Sequence, residues 1–215
     1  KRQGLLRGQM SEAARCEIGF PLFANLTQLD LSGPWEVLNR VPGARCHLIA
    51  ADLKPVASAN GGLAIMPTVT YADCPQLDIV CVPGGPGHLA AMEDDALLAF
   101  LRRQAPGCRY VTSVCTGALV LGAAGLLDGY RATTHWMSLE RLAAFGAEPS
   151  SDRVVVDRNR VTGGGVTAGI DFGLRLLAEI SGEQVARECQ LQIEYAPQPP
   201  YDGLPGSAPA EMVQG

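Results

Sequence analysis

Short apolar runs alternate with helical patterns along most of this chain. "CEIGFPLF", residues 16–23, predicts a first strand. In "DLSGPWEVLNRV", Ser32 or Gly33 reads as the cap of a helix that carries Pro34 in its first turn. "RCHLIAA", residues 45–51, predicts the next strand, and "PVASANGGLAIMPTVTY" a small hairpin or edge excursion around Asn60, Gly61 and Gly62. "LDIVCVPGG", residues 77–85, is a continuous apolar strand ending in glycines, and "ALLAFLRRQA", residues 96–105, an amphipathic helix. "YVTSVCTGALVLGAAGLL", residues 110–127, then runs from apolar strand through Cys115 into apolar helix.

Downstream, "RATTHW" reads as a short strand or loop and "SLERLAAFG" as a helix closed by Gly146. "RVVVDRNRVTGGG" predicts a hairpin turning at residues 157–159. Two helices follow, in "TAGIDFGLRLLAEISG" and "EQVARECQLQIEY". Repeated strand–helix units with uninterrupted apolar strands predict a parallel sheet covered on both faces.

The 215 residues suit one domain with a sizeable core. We place it at residues 16–195, after a loose leader at 1–15 and before a Pro/Gly-rich extension at 196–215. The leader is basic but has no apolar h-region, so it does not read as a secretory signal, and Met10 is a candidate natural start. The net charge of −5, with no Lys/Arg stripe, argues against a nucleic-acid surface. The most apolar run, 118–127, is too short to span a bilayer. Seven cysteines without regular spacing point to free thiols in a reducing cytoplasm rather than a disulfide framework. No C-x-x-C pair or His cluster offers a zinc site.

The chemistry is expected where strands end, because open parallel sheets bind ligands beyond the carboxyl ends of their strands. Cys115 occupies such an end. A tight strand-to-helix turn would push its side chain out of both elements, and Gly117 leaves room for a close approach. The free N–H groups of the following helix would favour a thiolate and hold negative charge on a substrate. Packing as a small hydrophobe is the plainer role for the same residue. "PGGPG" ends a second strand, where the Gly85 N–H is a natural second anion donor, although glycine-rich turns are common. Asp30, at a third junction, could stay protonated in an apolar setting and donate to the Cys115 sulfur. From residue type alone, helix capping is the favoured role for Asp30.

His135, 20 residues after Cys115, is either a base for the thiol or a histidine packed beside Trp136. His88 follows the glycine turn as a helix-start residue near the expected pocket, and His47 lies mid-strand as a structural residue. Val166, Trp35 and His88 are pocket-lining candidates whose plainer role is packing. Cys16, Cys46, Cys74, Cys81, Cys108 and Cys189 read as packing residues.

"VTSVCTGALVLGAAGLLDGYRATTHW", with "VPGGPG", "QLDLSGPWEV" and "VTGGGVTAGIDF", resembles the ThiJ/PfpI superfamily of class I glutamine-amidotransferase-like folds over residues 17–195. Within it the chain is similar to the bacterial isonitrile hydratases, through "QLDLSGP", "YVTSVCTG", "RATTHW", the "TGGG" turn and the "QLQIEYAPQPP" ending. The resemblance implies a three-layer flavodoxin-like α/β sandwich with a mostly parallel sheet and a nucleophile elbow. It implies Cys115 as nucleophile, Asp30 as the acid beside it, Thr116 as a pocket residue and Gly85 as the other amide donor. It also implies a homodimer, no metal or organic cofactor, and a small-molecule substrate, an isonitrile, hydrated to an N-substituted formamide. PfpI-type proteases carry His directly after the cysteine; Thr116 stands there, so that dyad is absent.

Three rivals remain. AraC-type transcription regulators carry a similar domain, followed by a DNA-binding region of roughly another hundred residues. The proline-rich ending has no basic recognition helix, which weighs against that expectation. A glyoxalase or deglycase would place a glutamate near the thiol. A redox-protective protein would oxidise Cys115 as its working step.

Overall fold

The computed structural model describes residues 15–203, 205–207 and 209. The expected leader therefore lies, apart from Arg15, outside the described residues, as does part of the C-terminal extension.

Strand β1 (Cys16–Pro21) leads into helix α1 (Gln28–Leu38), which returns to β2 (Ala44–Ala50). The expected hairpin forms from β3 (Val56–Ala57) and β4 (Ala64–Ile65), paired antiparallel. β5 (Val69–Thr70) then joins the sheet beside β2. β6 (Ile79–Val82) is followed by α2 (His88–Ala91) and α3 (Asp95–Gln104), and β7 (Tyr110–Val114) by α4 (Gly117–Ala123). The "RATTHW" stretch contributes β8 (Arg131–Ala132), which pairs with β9 (Glu148–Pro149). Between those two strands lies a 3₁₀ helix (Trp136–Phe145), closed by Gly146 in the left-handed conformation as its sequence predicts. The hairpin of β10 (Val154–Asp157) and β11 (Arg160–Gly163) precedes α5 (Ala168–Ser181) and α6 (Glu183–Gln192).

The seven-stranded sheet runs β10-β11-β7-β6-β1-β2-β5, with only β10 antiparallel to its neighbour. β6 is buried throughout, as its uninterrupted apolar run predicts. The crossover β1–α1–β2 steps toward one edge and β6–α3–β7 toward the other. Right-handed crossovers in opposite directions place their helices on opposite faces. Helix α1 packs on α5, and α5 on α6, while α2 and α3 pack on α4. The chain is thus a doubly wound α/β sandwich, with its switch point between β6 and β1.

Helix α1 departs from its sequence reading. It starts at Gln28, after Thr27 in an extended conformation, and not at Ser32 or Gly33. Pro34 lies inside it and offers no N–H to the Asp30 carbonyl one turn back. Burial outweighs that loss. Leu31, Pro34, Val37 and Leu38 form one buried stripe. Gly169 and Gly173, one turn apart on α5, let the helices approach. A Cβ at either position would meet Pro34 or Val37 at 2.9 Å. Phe20, Phe100 and Phe172 are fully buried, and the Trp35 ring packs 5.2 Å from that of Phe20. Among the described residues no helix is long and apolar enough to cross a membrane.

Candidate active site

The carboxyl ends of β1, β6 and β7 lie side by side, and each delivers one part of the site. Cys115 sits directly after β7 with φ of 54°, in the left-handed region, and only 4% exposed. For a residue with a side chain that backbone costs about 1–2 kcal/mol. The Cys115 N–H donates to the Gly163 and Gly164 carbonyls at 3.0 and 2.9 Å. The expected sharp corner is present, and α4 leaves it two residues later.

Asp30, in the first turn of α1, is fully buried. It is not the cap, because Thr27 precedes the helix and the Asp30 N–H already donates to the Thr27 carbonyl at 3.0 Å. Its Oδ2 accepts the Gly84 N–H at 3.1 Å, and its Oδ1 has no hydrogen-bond partner. The carboxyl lies against the Cys115 thiol. Burial raises the Asp30 pKa to about 7, although the thiol and the Gly84 amide favour its charge.

Opposing influences meet at the thiol. Burial, followed by the Asp30 charge, pushes Cys115 up to about 12. The backbone amides of Thr116 and Val166 face the sulfur and pull the other way, without prevailing. The corner amides favour the thiolate that the sequence leads one to expect, and burial and the facing carboxyl oppose it; sulfur and carboxyl stand where a proton can pass between them.

Thr116 is buried and presents its amide to the sulfur. Its hydroxyl binds the glycine turn, accepting the Gly85 N–H at 2.9 Å. Gly85 is thus brought to the site, but its N–H is engaged by Thr116 rather than offered to a substrate. The amide of this turn that reaches the Cys115–Asp30 pair is that of Gly84. There is no room there for a side chain: a Cβ at Gly84 would stand 2.5 Å from the Thr116 nitrogen and 2.9 Å from Asp30 Oδ2.

The histidines take supporting places. His135 precedes the 3₁₀ helix and accepts the Met137 N–H on Nδ1 at 3.4 Å, its ring 5.9 Å from that of Trp136. That favours the packed histidine over the base. His88 begins α2, and its Nδ1 lies 2.8 Å from the Gly85 carbonyl, bracing the glycine turn. His47 lies on β2, bonded to Glu17 Oε2 at 2.6 Å. Trp35 and the Val166 side chain pack against the core. Cys81 is buried in the sheet, and burial raises its thiol to about 12. Two contributions escaped the sequence reading: the Val166 amide, and the Thr134 hydroxyl, which donates to the Cys115 carbonyl at 2.7 Å. A backbone amide leaves no mark in residue types. The "TGGG" turn and "RATTHW" were the available signals.

A thiol on the left-handed corner after β7 faces an acid from the helix that follows β1, at the carboxyl edge of a doubly wound α/β sheet. The model of the DJ-1/PfpI family matches residues 17–179, and the chain belongs to that family. The isonitrile hydratase of Pseudomonas putida is 56% identical over 92% of this chain and 86% of that protein. The HTH-type transcriptional regulator GbdR of Pseudomonas aeruginosa is 35% identical over 79% of this chain, which spans only 48% of that regulator. The crystal structure of a ThiJ/PfpI family protein from Pseudomonas syringae superposes with a TM-score of 0.90 at 45% identity, over 94% of this chain and 85% of that one.

Proposed function

We propose that this chain is an isonitrile hydratase, adding water to an isonitrile to give an N-substituted formamide, with Cys115 as nucleophile and Asp30 as proton carrier. The observation that carries the chemistry is the buried thiol set against a buried carboxyl with one unpartnered oxygen. The high identity to the Pseudomonas putida enzyme over most of both chains supports the substrate class.

The proton inventory sets the order of steps. Sγ attacks the terminal carbon of R–N≡C while its proton passes to the Asp30 carboxylate and from there to that carbon. The product is a thioimidate, Cys–S–CH=N–R. The amides of Thr116 and Val166 stabilise sulfur as it loses its proton. Water then adds to the thioimidate carbon. Asp30 takes a proton from the water and passes it to nitrogen, forming S–CH(OH)–NH–R. As the C–S bond breaks, the hydroxyl proton returns to sulfur through Asp30, and R–NH–CHO leaves. One water is added, and no electron is gained or lost. The covalent intermediate divides one difficult hydration into two easier steps.

The homodimer and the reducing cytoplasm belong to the same proposal; all seven cysteines are free, which supports the latter. The discriminating experiment offers the purified protein an alkyl or aryl isonitrile and, separately, methylglyoxal. Formamide without lactate is expected. Lactate without formamide would select the glyoxalase reading instead.

A further inference from the structure

Only the first two residues of "RATTHW" form a strand, and its histidine begins the next helix. The intervening threonines run past the Cys115 corner. The Thr133 N–H donates to Thr162 Oγ1 at 2.9 Å, fastening the segment to β11. Thr134, 2% exposed, donates its hydroxyl to the Cys115 carbonyl at 2.7 Å. The end of β11 also receives the Cys115 N–H, on the Gly163 and Gly164 carbonyls. Both backbone polar groups of Cys115 are therefore held, its N–H from the end of β11 and its carbonyl by a side chain tied to that strand.

We infer that Thr134 is a positioning residue, whose hydroxyl fixes the Cys115 peptide in its left-handed conformation and so aims Sγ at Asp30 and at the Thr116 and Val166 amides. The backbone of Cys115, at φ of 54°, is disfavoured for a residue with a side chain. One buried hydrogen bond is of the same order as that penalty, so the balance is sensitive to its loss. Without Thr134 the nearest other donor to this carbonyl is the Ala118 N–H at 3.4 Å, in the first turn of α4. The peptide is then free to rotate toward an ordinary conformation, carrying the sulfur away from its partners.

This inference rests on Cys115 being the nucleophile proposed above, so the experiment includes a readout independent of isonitriles. Thr134→Val keeps the shape and removes the hydroxyl, whereas Thr134→Ser keeps the hydroxyl. The rate of Cys115 alkylation by iodoacetamide is measured from pH 6 to 10, beside kcat and KM for formamide formation. In Thr134→Val alkylation slows at least about 10-fold, its pH profile changes, and kcat falls by a similar factor with KM little changed. Thr134→Ser restores all three. Wild-type kcat and pH profile in Thr134→Val would overturn the inference, as would a Thr134→Ser protein as impaired as the valine variant. If Thr134→Val does not fold, Thr134→Ser decides alone: near wild-type behaviour supports the inference, and a shifted profile overturns it. A wild-type protein that makes no formamide, yet whose alkylation profile shifts in Thr134→Val, removes the hydratase reading and leaves the positioning role standing.

Discussion

The Cys115 thiol lies against the Asp30 carboxyl, and both residues are buried. Residues 85 positions apart in the chain thus meet, because β7 and β1 flank β6 and their carboxyl ends adjoin.

Removing either partner has a distinct consequence. Cys115→Ala abolishes formamide production, since no covalent intermediate can form. Asp30→Asn keeps the nucleophile and the acceptor for the Gly84 amide but carries no proton. Its turnover falls about 10²- to 10⁴-fold, the usual contribution of a positioned acid or base. Steady-state assays on both purified variants, with circular dichroism as a check on folding, make the comparison.

Turnover depends on pH through Asp30. The carboxyl, raised to about 7, must be ionised to take the thiol proton, so kcat/KM rises as pH increases through about 7. A pH–rate profile from 5 to 9 should show this single rise, and the residual activity of Asp30→Asn should not. A flat wild-type profile would exclude the carboxylate as proton acceptor.

The same group destabilises the fold at high pH. Its pKa is raised from 3.8 in the unfolded chain to about 7, so between those values the native state holds a proton that the unfolded state has lost. Its contribution is fully present below about pH 4 and declines by about 1.4 kcal/mol per unit toward pH 7, about 4 kcal/mol in all. Asp30→Asn should therefore exceed the wild type in stability at pH 8, and the gap should close toward pH 4. Urea unfolding of both proteins at the two pH values measures it.

Space at the glycine turn is a sharper constraint than its conformation. In Gly84→Ala the new methyl meets the Thr116 nitrogen, which cannot yield without moving the corner. A loss of about 1–3 kcal/mol in stability is expected, with activity falling further than stability explains. Thermal unfolding beside the isonitrile assay tests this. His135→Asn, in contrast, keeps an acceptor for Met137. It should stay within about 1 kcal/mol of wild-type stability and show near-normal kcat, because the imidazole caps a helix and does not serve the thiol.

The parallel sheet was legible because strands alternate with helical patterns and β6 is a continuous apolar run, and Cys115 because it falls at the abrupt change from strand to helix. Helix α1 was misplaced because Pro34 signals a first turn, while the buried stripe from Leu31 to Leu38 pulls the start back to Gln28. Asp30 looked like a cap for the same reason. The amides at the corner are legible in outline, but the depth of burial and the facing carboxyl arise only when three strand ends are assembled. Gly84 and Gly85 are indistinguishable as letters; only the fold decides that one meets Asp30 and the other Thr116.

The central claim is that the sulfur at position 115 bonds covalently to the isonitrile carbon during turnover. Intact-protein mass spectrometry of an acid-quenched reaction, with peptide mapping, tests it most directly. A chain heavier by the mass of one isonitrile, with the increment on Cys115 and absent from Cys115→Ala, is the predicted result. Formamide formed at full rate by a chain whose mass never changes, or formed by Cys115→Ala, would contradict the account.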